Sequence, residues 1–197
     1  METTHIAEPA AAKGGASRWL SVGILAAVIA VGLVFALNTS EDTTHWFAIF
    51  KWIHVSVAVF WVGGGLLLTV LAMRAERAGS PEELLSIARQ AAFAGEKLFA
   101  PAGLVVLAMG ITMVINSPEI GFGTTWVDIG LVGYALTFIT GIAVLAPLAK
   151  KIVTLSETAG AEAPETQAAI QKILLIARFD IAVLLIVVAD MLLKPFS

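Results

Sequence analysis

The sequence predicts an all-α integral membrane protein: a bundle of five transmembrane helices, made of a four-helix core and an N-terminal anchor helix. Hydrophobic residues make up 58% of the 197 positions and charged residues only 14%, so a water-soluble fold would expose large apolar patches. Four runs, 19–40, 52–73, 98–118 and 129–149, contain no Asp, Glu, Lys or Arg. Each is long enough to cross a bilayer. In hydrocarbon such a run satisfies its own backbone only as a helix.

Residues 1–17, rich in Ala, Gly and Thr, read as a disordered cytoplasmic tail. The first span, 18–38, holds no polar residue that asks for a bundle partner, so it is read as a peripheral anchor. Its basic flank and Val34-Phe35-Ala36 also fit a secretory signal with a cleavage site. The core, 46–193, has spans at about 46–73, 92–116, 126–149 and 170–193. The last contains Lys172, Arg178, Asp180 and Asp190, which lowers its hydropathy, and it is still read as spanning. Between spans, Ser80-Pro81-Glu82-Glu83 combines a capping Ser, Pro at the first helical position and Glu at the third, so a helix starts there and runs into the third span. Pro164-Glu165 opens a helix into the fifth, with 156–163 as a flexible link. Pro101, inside the third span, predicts a kink. The sequence shows no nucleotide-binding loop, nucleophile elbow or clear internal repeat.

Orientation follows from the loops. Segments 38–45 and 116–127 carry no Lys or Arg, whereas 74–97 and 150–172 carry Arg74, Arg77, Arg89, Lys97, Lys150, Lys151 and Lys172. The positive-inside rule therefore places the N-terminus in the cytoplasm, and five spans put the C-terminus outside. Trp46, Phe47, Phe50, Trp52 and Trp126 fall at the outer interface of this arrangement, as aromatic belts do. A net charge of −3 with scattered basic residues leaves no nucleic-acid footprint. The absence of cysteine excludes disulfides, thiolate metal ligation and cysteine catalysis. The partners implied are the lipid bilayer and, through helix contacts, a second copy or other membrane proteins.

Chemistry concentrates on His54. An ionisable group within a membrane-length run is costly and marks a functional site by default. Lys51, His54, Ala58, Trp61 and Gly65 alternate spacings of three and four, which puts them on one helical stripe facing protein. The small residues Ala58 and Gly63 to Gly65 let a backbone or a flat ligand come close. One reading makes His54 a ligand or proton carrier. The other makes the stripe a packing surface with His54 hydrogen-bonded to a neighbour. At similar depth stand Tyr134, the natural partner for packing, and Met109, the natural second ligand for haem iron or copper. His45 is about half a turn out of phase with His54, so the two cannot share a face. Depth matching of the intramembrane charges suggests ion pairs of Glu96 with Arg178, Lys97 with Asp180, and Lys51 with Asp190. They serve either the bundle or a proton path.

The segment Phe50-Lys51-Trp52-Ile53-His54, followed by Trp61-Val62-Gly63-Gly64, resembles a helix of a bacterial membrane superfamily. That superfamily includes copper resistance protein D-like proteins and membrane haem-containing protoporphyrinogen oxidases. The resemblance implies a four-helix inner-membrane core and a haem-ligand role for His54. It departs from the oxidases at Met73 and Arg74, where they carry a second histidine. The ending Asp190-Met191-Leu192-Leu193-Lys194-Pro195 is similar to a narrower group of uncharacterised bacterial integral membrane proteins. Three readings of function follow. One is a redox-associated membrane protein binding haem b or copper through His54. Another is a transporter or proton-coupled subunit using Lys51, Glu96, Arg178, Asp180 and Asp190. The third is a non-catalytic component acting through helix contacts. None of these assigns a reaction to the chain as an enzyme.

Overall fold

The structure is a computed structural model that describes Val34 and residues 45–195. The tail at 1–17 and, apart from Val34, the expected first span at 18–38 lie outside the described residues. The chain divides into Met1–Ile49 and Phe50–Ser197, and the fold described here is that of the second unit.

Four long helices and no strand occur among the described residues. Helix α1 is His45–Ala78. It stops at Gly79, whose φ of 62° suits a residue without Cβ, and the Gly79 and Ser80 N–H groups close back on Glu76 and Ala75. Ser80 then caps α2, Pro81–Ala94, by accepting the Glu83 N–H, the start expected from Ser80-Pro81-Glu82-Glu83. Helix α2 continues through a π-helical turn, Gly95–Phe99, into α3, Ala100–Ile115. Helix α4, Thr125–Thr140, continues through a second π-turn, Gly141–Leu145, into α5, Ala146–Thr158. The last helix, α6, is Pro164–Leu193.

The connection expected at 156–163 is shorter and more ordered than a flexible link. Helix α5 runs to Thr158. Across the turn, Thr166 Oγ1 and Gln167 Nε2 donate to the carbonyls of Gly160 and Ala161 at 2.9 and 2.8 Å.

Three helices are long and apolar enough to cross a membrane: His45–Ala78, Pro81–Ile115 and Thr125–Thr158. Helix α6 is also long, but its charged residues keep it outside that group, and the expected first span lies outside the described residues, so three spans among the described residues are supported by length and composition. At ~1.5 Å per residue each of the three measures about 50 Å, well beyond the ~30 Å of hydrocarbon, so one end must project. Burial identifies which end. Ala75, Leu84, Ala88, Ile152, Ala169, Ile170 and Leu174 form one buried cluster, where α1 and α5 finish and α2 and α6 begin. A dry core of this kind reflects the hydrophobic effect in water. Within lipid that force between helices is absent and close contact of small residues takes over.

Such contacts join α4 to α6 and to α3. A Cβ on Gly133 would lie 2.3 Å from Val187 Cγ2, and one on Gly103 would lie 2.5 Å from the Phe138 ring. Both helices meet their neighbours through missing side chains.

The π-turns have a common cause. Pro101 and Pro147 have no N–H to return to the preceding turn, and the ladder re-forms one residue longer: Ala100 N–H bonds Gly95 O, and Ala146 N–H bonds Gly141 O. The discontinuity expected at Pro101 thus takes the form of a π-turn. It is also repeated. Residues 95–101, GEKLFAP, and 141–147, GIAVLAP, share the pattern G-x4-A-P, an internal repeat that composition and hydropathy do not reveal. The two turns meet, since a Cβ on Gly95 would sit 3.3 Å from Ala146 Cβ.

Gly103→Ala should destabilise the protein by about 1–3 kcal/mol, because Phe138 is an aromatic ring in a packed position and must shift. Gly63→Ala, with nothing within 4 Å of the added carbon, should be neutral or stabilising by up to about 1 kcal/mol. Thermal unfolding in detergent measures both, and equal losses for the two would contradict the packing described.

Candidate functional site

The stripe on α1 faces protein along most of its length. His54 Nδ1–H donates to the Val106 carbonyl on α3 at 2.8 Å. A carbonyl only accepts, so this bond fixes the proton on Nδ1 and leaves Nε2 as an acceptor. Gly110, one turn beyond Val106, makes room for the ring: a Cβ there would stand 3.1 Å from His54 Cε1. One and a half to two turns along α1, Trp61 meets Tyr134 edge-on with centroids 5.6 Å apart, and Phe138 at 6.2 Å. Tyr134 and Phe138 stack at 5.3 Å.

Tyr134 is not the partner of His54. Its hydroxyl donates to Gly103 O at 3.0 Å, so each of the two side chains anchors to a backbone carbonyl of α3. Met109 is half-buried on the same helix, next to Gly110, and no described contact joins it to His54. Among the described residues no group of three or more His, Cys, Asp or Glu converges to hold a metal ion. The donor set around His54 amounts to one imidazole nitrogen.

The charges pair differently from the depth-matched expectation. Glu96 is held by Lys150 of α5 and by its neighbour Lys97, the latter at 2.9 Å. Arg178 bonds Glu76, at the projecting end of α1. Depth alone cannot find these partners, because Glu76 and Lys150 fall in the expected cytoplasmic connections, whereas the helices continue unbroken through them. Lys51 is exposed and makes no ion pair among the described residues. Its expected partner Asp190 is 5% exposed, with neither carboxylate oxygen hydrogen-bonded, while Lys194, one turn on, lies over the Trp126 ring at 5.1 Å.

Asp180 is the remaining charge, and its place is different. It lines a cavity of about 120 Å³ walled by residues of all four helical rods. Residues of both π-turns, Gly95, Phe99, Gly141 and Leu145, form part of the wall, with Trp61, Thr69 and Thr137. No hydrogen bond or ion pair reaches the Asp180 carboxylate from the described residues, and no Lys, Arg or His lines the cavity. The two threonine hydroxyls spend their protons on their own helices, Thr69 on Gly65 O at 2.9 Å and Thr137 on Gly133 O and Tyr134 O, both at 3.1 Å. Their lone pairs are left to accept. The space is ample for several waters. His54 is not among the lining residues.

Sequence reasoning singled out Trp61 and Asp180 but missed Thr69, Thr137 and the two glycines that open the π-turns. The repeated G-x4-A-P was the signal that would have found the glycines.

The pairing described makes a testable distinction. Glu96→Gln and Lys150→Gln should couple, with a double-mutant loss smaller than the sum of the singles by up to ~1 kcal/mol. Glu96→Gln and Arg178→Gln should be additive. Coupling only in the second cycle, read from thermal unfolding, would refute the contacts.

No curated protein and no solved structure matches the chain. Residues 48–195 match a family described as predicted integral membrane protein. This supports the narrower resemblance carried by the C-terminal segment and gives no support to the wider copper resistance and haem oxidase grouping. With its apolar helices and the match spanning α1 to α6, the chain belongs to this family of predicted integral membrane proteins, DUF2269.

Proposed function

We propose that this integral membrane protein is a carrier or proton-coupled membrane subunit whose working site is the cavity at Asp180. The observation that carries the reading is a carboxylate without a partner in a cavity bounded by helices of transmembrane length. In this reading α6 spans the bilayer with the other three helices, and the expected first span at 18–38 is a peripheral anchor. Holding an ionised group within the membrane span is costly, up to ~2.5–3.5 kcal/mol at the bilayer centre on insertion scales. A purely structural role offers no return for that cost, since Asp180 holds nothing in place. The paired charges Glu96, Lys150, Glu76 and Arg178 do the structural work. The two π-turns add a second argument, because such turns recur at functional sites and here both border the same space. The distribution of Lys and Arg supports an orientation with the N-terminus and the projecting, hydrophobically cored end in the cytoplasm, and a bacterial inner membrane rests on the resemblance carried by the helix of His54.

A second reading rests on His54. Its Nδ1–H bond to a backbone carbonyl is the arrangement that orients metal-ligating imidazoles, and one free nitrogen as the sole donor would suit haem iron better than copper. His54 Nε2 would hold the iron, and haem would supply redox chemistry at that iron. A Soret band in the purified protein, lost in His54→Ala, would support this reading, and a colourless protein from haem-replete cells would remove it.

The chain has no cysteine, so single cysteines report access directly. Ala177 lines the cavity, and Leu175, 69% exposed, faces lipid in this reading. Ala177→Cys should react with impermeant thiosulfonates from at least one side of the membrane, and Leu175→Cys should not. Thr125→Cys, at the exposed start of α4, should react from outside and thereby mark sidedness. An unreactive Ala177→Cys, or a Leu175→Cys that reacts equally fast, would overturn the carrier reading.

A further inference from the structure

The chemistry of the cavity lining points to a class of occupant, and this step rests on the carrier reading just given. We infer that the cavity takes a small organic cation, an ammonium ion bearing short alkyl groups.

Charge is the first argument. The wall carries one carboxylate, Asp180, and no basic side chain, so an occupant that neutralises it must be positive. Hydrogen-bonding character is the second. Thr69 and Thr137 have committed their protons to Gly65, Gly133 and Tyr134 carbonyls, and each proline-induced π-turn shifts the carbonyls of its helix out of the regular i−4 ladder. Apart from the indole N–H of Trp61, the side chains can only accept.

The rest of the wall separates an organic cation from a metal ion. A divalent cation asks for six or more oxygen ligands, and no acidic cluster exists here among the described residues. The wall is instead mostly apolar, with the aromatic rings of Trp61, Phe99 and Phe138. Aromatic faces attract ammonium ions, and quaternary ammonium recognition by aromatic walls is an established use of that attraction. Alkyl groups would meet the aliphatic lining while the charge faces Asp180. A volume of about 120 Å³ limits the ligand to a few heavy atoms.

The test uses the full chain with Ala177→Cys, one helical turn from Asp180 and on the same face, in native membranes. The probes are trimethylammonium-ethyl and sulfonatoethyl methanethiosulfonate, each rate normalised to that with a free thiol. A cavity lined by one sign of charge concentrates counter-ions by tenfold or more, so the cationic reagent should react roughly tenfold faster or better. Asp180→Asn should bring the ratio close to one, and Asp180→Glu should retain the preference. Tetramethylammonium should slow the reaction at constant ionic strength, and sodium at the same concentration should not. Equal rates for the two reagents would overturn the cation inference while leaving the carrier reading intact. So would a preference that survives Asp180→Asn, or protection by sodium as strong as by tetramethylammonium. If neither reagent reacts, the carrier reading itself fails and the inference falls with it. Should Asp180→Asn not fold, the Asp180→Glu ratio and the competition between the two salts still decide.

Discussion

A helix crossing lipid must satisfy its backbone from within, and a proline in mid-helix breaks that account by one hydrogen bond. Here the break occurs twice, at Pro101 and Pro147, and in both helices it is absorbed by a π-turn opened by glycine and closed by alanine. The extra residue in each turn displaces the following side chains around the helix axis. Because the turns lie against each other at Gly95 and Ala146, the two displacements fall at one level of the bundle. The cavity is bounded there, with Phe99 and Leu145 in its wall. The same backbone constraint that makes these segments helical also prevents them from packing shut.

The remaining architecture holds that level in place from both sides. On the projecting side, water drives the burial of Ala75, Leu84, Ile152 and Ile170, and the ion pairs Glu76–Arg178 and Glu96–Lys150 tie α1 to α6 and α2–α3 to α5. On the other side, close approach replaces hydrophobic burial: Gly133 admits Val187, Gly103 admits Phe138, and Gly110 admits His54. The aromatic set Trp61, Tyr134 and Phe138 joins α1 to α4, with Trp61 and Phe138 in the wall of the cavity. Two polar anchors to α3, His54 on Val106 O and Tyr134 on Gly103 O, fix the rotation of α1 and α4 about their axes. Rotation matters because Trp61 and Thr137 reach the cavity only in this setting.

Within this frame the polar residues divide by what they touch. His54, Tyr134, Thr69 and Thr137 each have a backbone partner, and Glu76, Glu96, Lys150 and Arg178 have one another. Asp180 and Asp190 have none among the described residues, and only Asp180 borders open space. In the carrier reading proposed above, Asp180 is the group that acts on what enters the cavity.

The solvent, the helical class and several helix starts follow from composition and from neighbours along the chain, and were legible without any fold. Charge-free runs require lipid, and Ser80-Pro81-Glu82-Glu83 requires a cap. That the stripe from His54 to Gly65 faces protein was legible in the same way, since periodicity on one helix is a local property. Which residue each polar group meets depends on how the helices pack. Depth matching paired Glu96 with Arg178, but depth is one coordinate, and a contact also depends on the azimuth of each helix and on which helices are neighbours. Those are set by glycine contacts spread over α3, α4 and α6. The cavity is further still from sequence reading. It exists because two proline-induced turns, 46 residues apart, come to rest against one another, and only their packing turns two local irregularities into one space beside Asp180.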